Sequence, residues 1–288
     1  MSALPPPAGL DAFLAAQEAG VPALRPGCEK RMVWAGAPGA VTDWAVVFVH
    51  GYSASALELA PLPQMVAGAL GANLHLTRLS GHGQDGPAMG RATLAQWQAD
   101  TAQALAVAAA TGRRVLAIGC STGCTLLTLA LGQGAAPAGV VMISPNFALA
   151  SRFGQAMLDL PLARLWAPLI AGRQISYPVK SPGHAAGWTT SYPVQALYPM
   201  AAAVRACRSL PLERLRTPAM FAFAQADRVV SPPATHKVMA RWGGPVTHHA
   251  LTPGPEDDPY AHVMAGDVFS PGQTVPLAGA IAAWARAL

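Results

Sequence analysis

The chain has 288 residues, of which 52% are hydrophobic and only 11% charged. That excludes a disordered polymer and fits one large α/β domain with an insertion, or two small domains. The net charge of +5 comes from scattered residues whose longest basic groupings are as short as Lys30-Arg31 and Arg113-Arg114, so there is no stripe for nucleic acid.

Residues 1–28 read as a lead-in with a short helix over 10–19, Asp11 lying near its start. The opening Met-Ser-Ala-Leu-Pro-Pro-Pro lacks the basic and apolar regions of a signal peptide. Strands are expected over 29–35 and 45–49. The second is continuously apolar, as suits a strand covered on both faces, and runs into His50-Gly51-Tyr52-Ser53. A helix over 57–70, a strand over 73–79 ending in Ser80-Gly81-His82-Gly83, and a helix over 93–111 follow.

A buried strand over 115–118 and a helix over 122–131 flank Gly119-Cys120-Ser121-Thr122-Gly123, and a further strand is expected over 139–143. No charged residue occurs from Val115 to Ser151. Glycines and Pro137 divide that stretch into short apolar runs, so it predicts a buried βαβ unit and no transmembrane segment.

The rhythm breaks over 145–206, which holds seven prolines between Pro145 and Pro199 and no strand of the buried kind. It resumes with a strand over 219–224, a helix over 233–241, a strand over 246–252 and a terminal helix over 275–287. Alternating strands and helices predict a mainly parallel central sheet with helices on both faces. The implied division is a core of 29–144 and 207–288, with 145–206 as an insertion.

Gly-x-Ser-x-Gly between a strand and a helix is the setting of a nucleophile elbow. A serine hydroxyl is a poor nucleophile at neutral pH. It needs a base to take its proton and donors to stabilise an oxyanion. Asp227 lies just past the strand over 219–224, and His262 lies beyond the last strand. The C-terminal ends of parallel strands share one edge, so Ser121, Asp227 and His262 are expected to converge there.

His248 and His249 lie within the last strand and are expected to point sideways. Glu256, Asp257 and Asp258 are expected to form a solvated loop. The histidines show no metal-ligand spacing, and Cys120 and Cys124 have no second pair nearby, so no metal or other cofactor is expected. With Cys28 and Cys207 the chain has four cysteines, too few for a disulfide framework at this length. Reduced thiols fit a cytoplasmic protein.

Val49-His50-Gly51-Tyr52, Gly81-His82-Gly83, Gly119 to Gly123, Asp227-Arg228-Val229-Val230 and His262-Val263 together resemble the α/β-hydrolase superfamily, in particular its bacterial carboxylesterases and monoacylglycerol-lipase-like serine hydrolases. The resemblance covers the core from about residue 40 to 270, outside the insertion. It implies the α/β-hydrolase fold, with Ser121 as nucleophile, His262 as general base and then acid, and Asp227 orienting the imidazole. It implies an oxyanion hole from the backbone N–H groups of Tyr52 and Thr122. His50 and Gly51 would support that loop, with Gly119 and Gly123 supporting the elbow, and His82 would steady a turn.

The insertion falls where that family grows a cap or lid. Its apolar residues Met157, Leu158, Leu160, Leu162, Leu165, Trp166, Leu169 and Ile170 are expected to pack it onto the core and in part to line an acyl pocket. Trp188 to Pro193 would border the alcohol side. The implied partner is a small-molecule carboxylic ester with a hydrophobic acyl group, cleaved through an acyl-enzyme. Thioester, amide, lactone or C–C cleavage, or non-catalytic ligand binding on the same fold, stays open.

Overall fold

The computed structural model describes residues 4–159 and 172–288. The strands of its main sheet are β1 (Arg31–Val33), β2 (Thr42–Val49), β3 (Asn73–Leu76), β4 (Gly112–Cys120), β5 (Gly139–Ile143), β8 (Ala219–Ala224) and β9 (Val246–Leu251). Two shorter strands, β6 (Gln174–Ser176) and β7 (Ser191–Pro193), form a separate antiparallel ladder. The main sheet runs β1-β3-β2-β4-β5-β8-β9 and is parallel except for edge strand β1.

The described α-helices are α1 (Leu10–Ala19), α2 (Leu62–Leu70), α3 (Gly86–Arg91), α4 (Leu94–Thr111), α5 (Thr122–Gly132), α6 (Arg152–Asp159), α7 (Pro182–Gly187), α8 (Leu197–Arg208), α9 (Pro232–Arg241) and α10 (Pro271–Arg286).

Alternation along the central strands divides the core in two. Val46 and Phe48 of β2 face one layer with Leu116 and Ile118 of β4, Val141 and Ile143 of β5, and Met220 and Ala222 of β8. Leu62 and Val66 of α2 and Leu277 and Ile281 of α10 cover that layer. Ala45, Val47 and Val49 face the opposite layer with Ala117, Val140, Met142 and Phe221, beneath Trp97 and Ala104 of α4 and Leu126 and Leu127 of α5. Continuous apolar runs thus arise because each strand is sandwiched on both sides.

Local signals account for the helix starts. Thr93 caps α4 through a reciprocal box, its hydroxyl accepting from Gln96 N–H while Gln96 Oε1 accepts from Thr93 N–H. Within α4, Trp97 donates its ring N–H to the Ser80 carbonyl at 2.9 Å, and Asp100 accepts from Ser80 N–H at 2.6 Å. The helix therefore grips the Ser80-Gly81-His82-Gly83 turn. The helix expected over 57–70 begins only at Leu62, and the residues before it are turns.

The segment between β5 and β8 is not strandless. Its β6–β7 ladder is three residues long on each side and mostly polar, so it leaves no apolar run in the sequence. Its last helix, α8, packs Met200, Ala203 and Cys207 into the core layer of α4 and α5. The expected cap residues Leu160 to Ile170 lie outside the described residues, as do the side chains of Met157 and Leu158. Among the described residues no helix is long and apolar enough to cross a membrane, and no group of His, Cys, Asp and Glu is placed to hold a metal ion.

Candidate active site

The chain crosses the sheet after β3, so the loops leaving the neighbouring strands β2 and β4 diverge. The crevice between such loops, at the C-terminal edge, is where ligands bind in open α/β sheets. The β2 loop begins with His50-Gly51-Tyr52, and the β4 loop is Ser121 itself.

Ser121 sits between β4 and α5 with φ 50° and ψ −112°, a backbone state costly for any residue with a Cβ. Neighbours hold it there. Its N–H donates to the Ile143 carbonyl at 2.9 Å, and its own carbonyl accepts from Asn146 N–H at 3.1 Å. The flanking glycines are demanded by close approach. A Cβ on Gly119 would press on the backbone of Cys124, and one on Gly123 would enter the carbonyls of Val49 and His50. The spacing of the pattern is thus set by how tightly α5 leaves the sheet.

His262 and Asp227 meet Ser121 from the loops after β9 and β8. Asp227 Oδ2 accepts the His262 Nδ1 proton at 2.9 Å. That tautomer leaves Nε2 as an acceptor, 3.1 Å from the Ser121 hydroxyl. Asp227 Oδ1 accepts from Val229 N–H at 2.8 Å and Val230 N–H at 2.9 Å, which fixes the carboxylate. Burial penalises the His262 cation, but the hydrogen bond and charge of Asp227, with Glu58 and Asp258 behind it, outweigh this and raise its pKa above the ordinary 6.5.

His248 stacks on Phe223 at 4.8 Å and meets His236 edge-on. His50 is buried and bonds only backbone. Its Nε2 accepts from Leu79 N–H at 3.1 Å, so Nδ1 carries the proton and donates to the Gly51 carbonyl at 2.9 Å. Burial pulls its pKa down to about 4, and His82 beside it is also held neutral by burial.

The His-Gly loop is also held from the segment between β5 and β8. Thr189 donates its N–H to the Ser53 carbonyl at 2.8 Å, and the Ser53 hydroxyl meets Tyr177 Oη at 2.8 Å.

Two acidic residues have unexpected places. Asp258 is not part of a solvated loop but is 5% exposed. Its carboxylate accepts from the N–H groups of Tyr260 at 3.2 Å, His262 at 3.2 Å and Val263 at 3.0 Å, folding the loop that carries the histidine. Burying one carboxylate saves three backbone donors from going unpaired. Asp257 stays partly exposed, bonding Gly254 N–H and Gln273. Glu58, unremarked in the sequence, is buried at the site, its Oε2 accepting from Gly51 N–H at 2.6 Å.

A cavity of about 710 Å³ opens over Ser121 and His262. Its wall includes Tyr52, Glu58 and Asn146 near the serine, and Trp188, Tyr192 and Phe269 farther along. Most of the lining is apolar, which suits an uncharged hydrophobic group. Lys180, also in the wall, lies 3.9 Å from Asp258 and over the rings of Tyr260 and Phe269.

The sequence profile described as "Alpha/beta hydrolase family" matches residues 46–280. Among curated proteins none matches the chain. Solved structures do. One described under LipS and LipT, two metagenome-derived lipolytic enzymes, superposes with a TM-score of 0.73 at 20% identity over 92% of this chain and all of that one. A monoacylglycerol lipase from Paleococcus ferrophilus gives 0.65 at 14% identity, covering 89% of this chain and 97% of the other. A soluble variant of monoglyceride lipase from Saccharomyces cerevisiae, in complex with a substrate analog, gives 0.66 at 10% identity over 89% and 90%. At these identities the likeness is one of fold. The profile spans most of the sequence, and the chain belongs to the alpha/beta hydrolase family.

Proposed function

We propose that the chain is a serine hydrolase that cleaves carboxylic esters through an acyl-enzyme. The observation that carries this reading is the Ser121–His262–Asp227 relay, with the serine on a strained turn at the floor of an apolar cavity.

In the reaction, Ser121 Oγ attacks the ester carbonyl while its proton passes to His262 Nε2. Asp227 holds the other ring nitrogen and stabilises the imidazolium. The carbonyl oxygen, now negative, is held by the N–H groups of Tyr52 and Thr122. The second is an N-terminal donor of α5 with no partner inside its own helix. Collapse of the adduct expels the alcohol, which takes the proton from His262 and leaves the acyl group on Ser121. Water then gives a proton to His262 and its oxygen to the acyl carbon. Release of the acid returns the proton to Ser121.

The apolar wall supports a hydrophobic acyl group, and the segment between β5 and β8 acts as the cap. Trp188 and Tyr192 border the alcohol side. The test is reaction with a fluorophosphonate, followed by release of p-nitrophenol from an acyl-length series of esters. Labelling lost in Ser121→Ala supports the assignment. Labelling that persists in that variant moves the nucleophile elsewhere.

A further inference from the structure

Glu58 is an acidic side chain at the floor of the site to which the chemistry above gives no task. It is 3% exposed and reaches the cavity wall. Two parts of the site meet on it. On one side its Oε2 holds Gly51 N–H at 2.6 Å, one residue before the Tyr52 donor. A Cβ on Gly51 would lie 2.6 Å from Glu58 Oε1 and 3.1 Å from Ser121 Cβ, so carboxyl and nucleophile flank the same glycine. On the other side the chain just past His262 lies on its backbone, where a Cβ on Gly266 would be 2.7 Å from the Glu58 carbonyl.

The titratable neighbours of Glu58 are few. Cys120 of β4 and Cys124 of α5 lie near the carboxyl, and Tyr177 interacts with it from the segment between β5 and β8. Burial pushes the ionisation of both thiols and of the phenol upward, so these three stay neutral. His262 is the neighbour whose charge changes, and it also faces Asp227 and Asp258.

We propose that Glu58 is a positioning residue of this site: its carboxyl fixes the His50-Gly51-Tyr52 loop against the elbow and sets an acidic group in the same cavity wall as Ser121 and His262. The catalytic consequence rests on Ser121 being the nucleophile. As the serine proton moves to His262, an imidazolium forms in the cavity that Glu58 also lines, and a carboxylate there lowers the barrier in a way a neutral group cannot. Burial pushes the Glu58 carboxyl up to about 7, against the opposing pull of Gly51 N–H, His262 and Cys120, so this charge switches near neutrality.

Glu58→Gln keeps an amide oxygen for Gly51 N–H and removes the charge, whereas Glu58→Leu removes both. The His262 imidazole is titrated by NMR in histidine-labelled protein, assigned with His262→Gln, and the fluorophosphonate labelling rate is followed with pH. In Glu58→Gln the His262 midpoint is expected to fall by roughly half to one pH unit. Its labelling at alkaline pH should slow by about 3- to 10-fold. Glu58→Leu should slow by about 100-fold.

A wild-type His262 midpoint in Glu58→Gln overturns the proposal, and so does labelling of Glu58→Leu as fast as Glu58→Gln. Should the leucine variant not fold, the glutamine variant still decides through the midpoint. Failure of the unmodified protein to react with fluorophosphonate would instead remove the Ser121 reading, and the titration would still decide the Glu58–His262 coupling.

Discussion

Asp258 holds the backbone of His262 as Asp227 holds its ring. Asp258 Oδ2 accepts the His262 N–H at 3.2 Å, four residues along the same loop. One carboxylate sets where the histidine leaves the chain, and the other sets where its imidazole points. Asp258→Ala should therefore loosen His262 without removing its bonds to Asp227 and Ser121 directly. Three backbone donors lose their acceptor, at about 1–3 kcal/mol for each that stays buried. The expected outcome is a lower melting temperature and a kcat reduced by about 10- to 100-fold with a smaller change in KM. Steady-state kinetics beside a thermal melt would show it. Wild-type values in both would return Asp258 to the role of a surface loop acid.

Ser121→Ala should leave the fold intact and remove esterase activity by a factor on the order of 10⁵ or more. The side chain is small, and the elbow is held by backbone bonds that alanine also makes. Release of p-nitrophenol by the purified variant measures the loss. A drop of only a few fold would mean that the chemistry lies elsewhere.

The pH dependence follows from the sign of the His262 shift. In the proposed mechanism the base works as neutral imidazole, so activity should rise with pH as His262 loses its proton. Asp227 and its carboxylate neighbours raise that pKa, so the midpoint of the acid limb should lie above the ordinary 6.5. A kcat/KM profile with a midpoint well below that value would contradict the arrangement.

Stability should have its own pH dependence. His50 and His75 are buried with pKa values lowered to about 4, chiefly by burial, and His82 is lowered by the same cause. Between about pH 6.5 and 4 the unfolded chain binds protons at these histidines that the folded chain refuses. Stability is thus present above 6.5 and lost as pH falls, by on the order of 3 kcal/mol for each of the first two. Glu58 acts in the opposite sense, since its raised carboxyl contributes stability that is lost as pH rises from about 4.5 to 7. These histidines outweigh Glu58, Asp100 and His262, whose raised pKa values act in the opposite sense, so the melting temperature should fall on acidification. At pH 8 Glu58→Gln should melt higher than the unmodified protein, by about 1–3 kcal/mol of stability. Melts across pH test both statements.

Gly123→Ala should fail for a steric reason. The added methyl would meet the Val49 and His50 carbonyls at the end of β2, and neither strand nor helix can withdraw without breaking the sheet edge. A loss of about 3 kcal/mol or more is expected, read by denaturant unfolding. An alanine variant with unchanged stability would mean that α5 can move.

The strands of the core were legible because burial on two faces writes an apolar run into the sequence. β2, β4, β5 and β8 show this directly. Gly119 to Gly123 was legible because a tight strand-to-helix turn leaves no room for side chains at fixed offsets. Glu58 was not. In Ala-Leu-Glu-Leu-Ala it reads as the polar face of a helix, yet the helix starts only at Leu62 and the turn before it points the acid inward. Asp258 was hidden by company: in Glu256-Asp257-Asp258 one acid is exposed, one half-buried and one folds the loop, and composition does not tell them apart. The β6–β7 ladder left no trace because each strand is three residues long and turns only its central side chain, Ile175 or Tyr192, inward, too short a run for a period of two to be visible.

The described part of the segment between β5 and β8 does more than line the cavity. Through Thr189 and Tyr177 it holds Ser53 next to Tyr52, and through Lys180 it touches Asp258, which folds the loop of His262. On the proposed reading, one piece of chain therefore both lines the cavity and braces the loops that carry Tyr52 and His262. A graft that replaced 172–193 to alter preference would also be expected to retune turnover, because it removes the partners of Ser53 and Asp258.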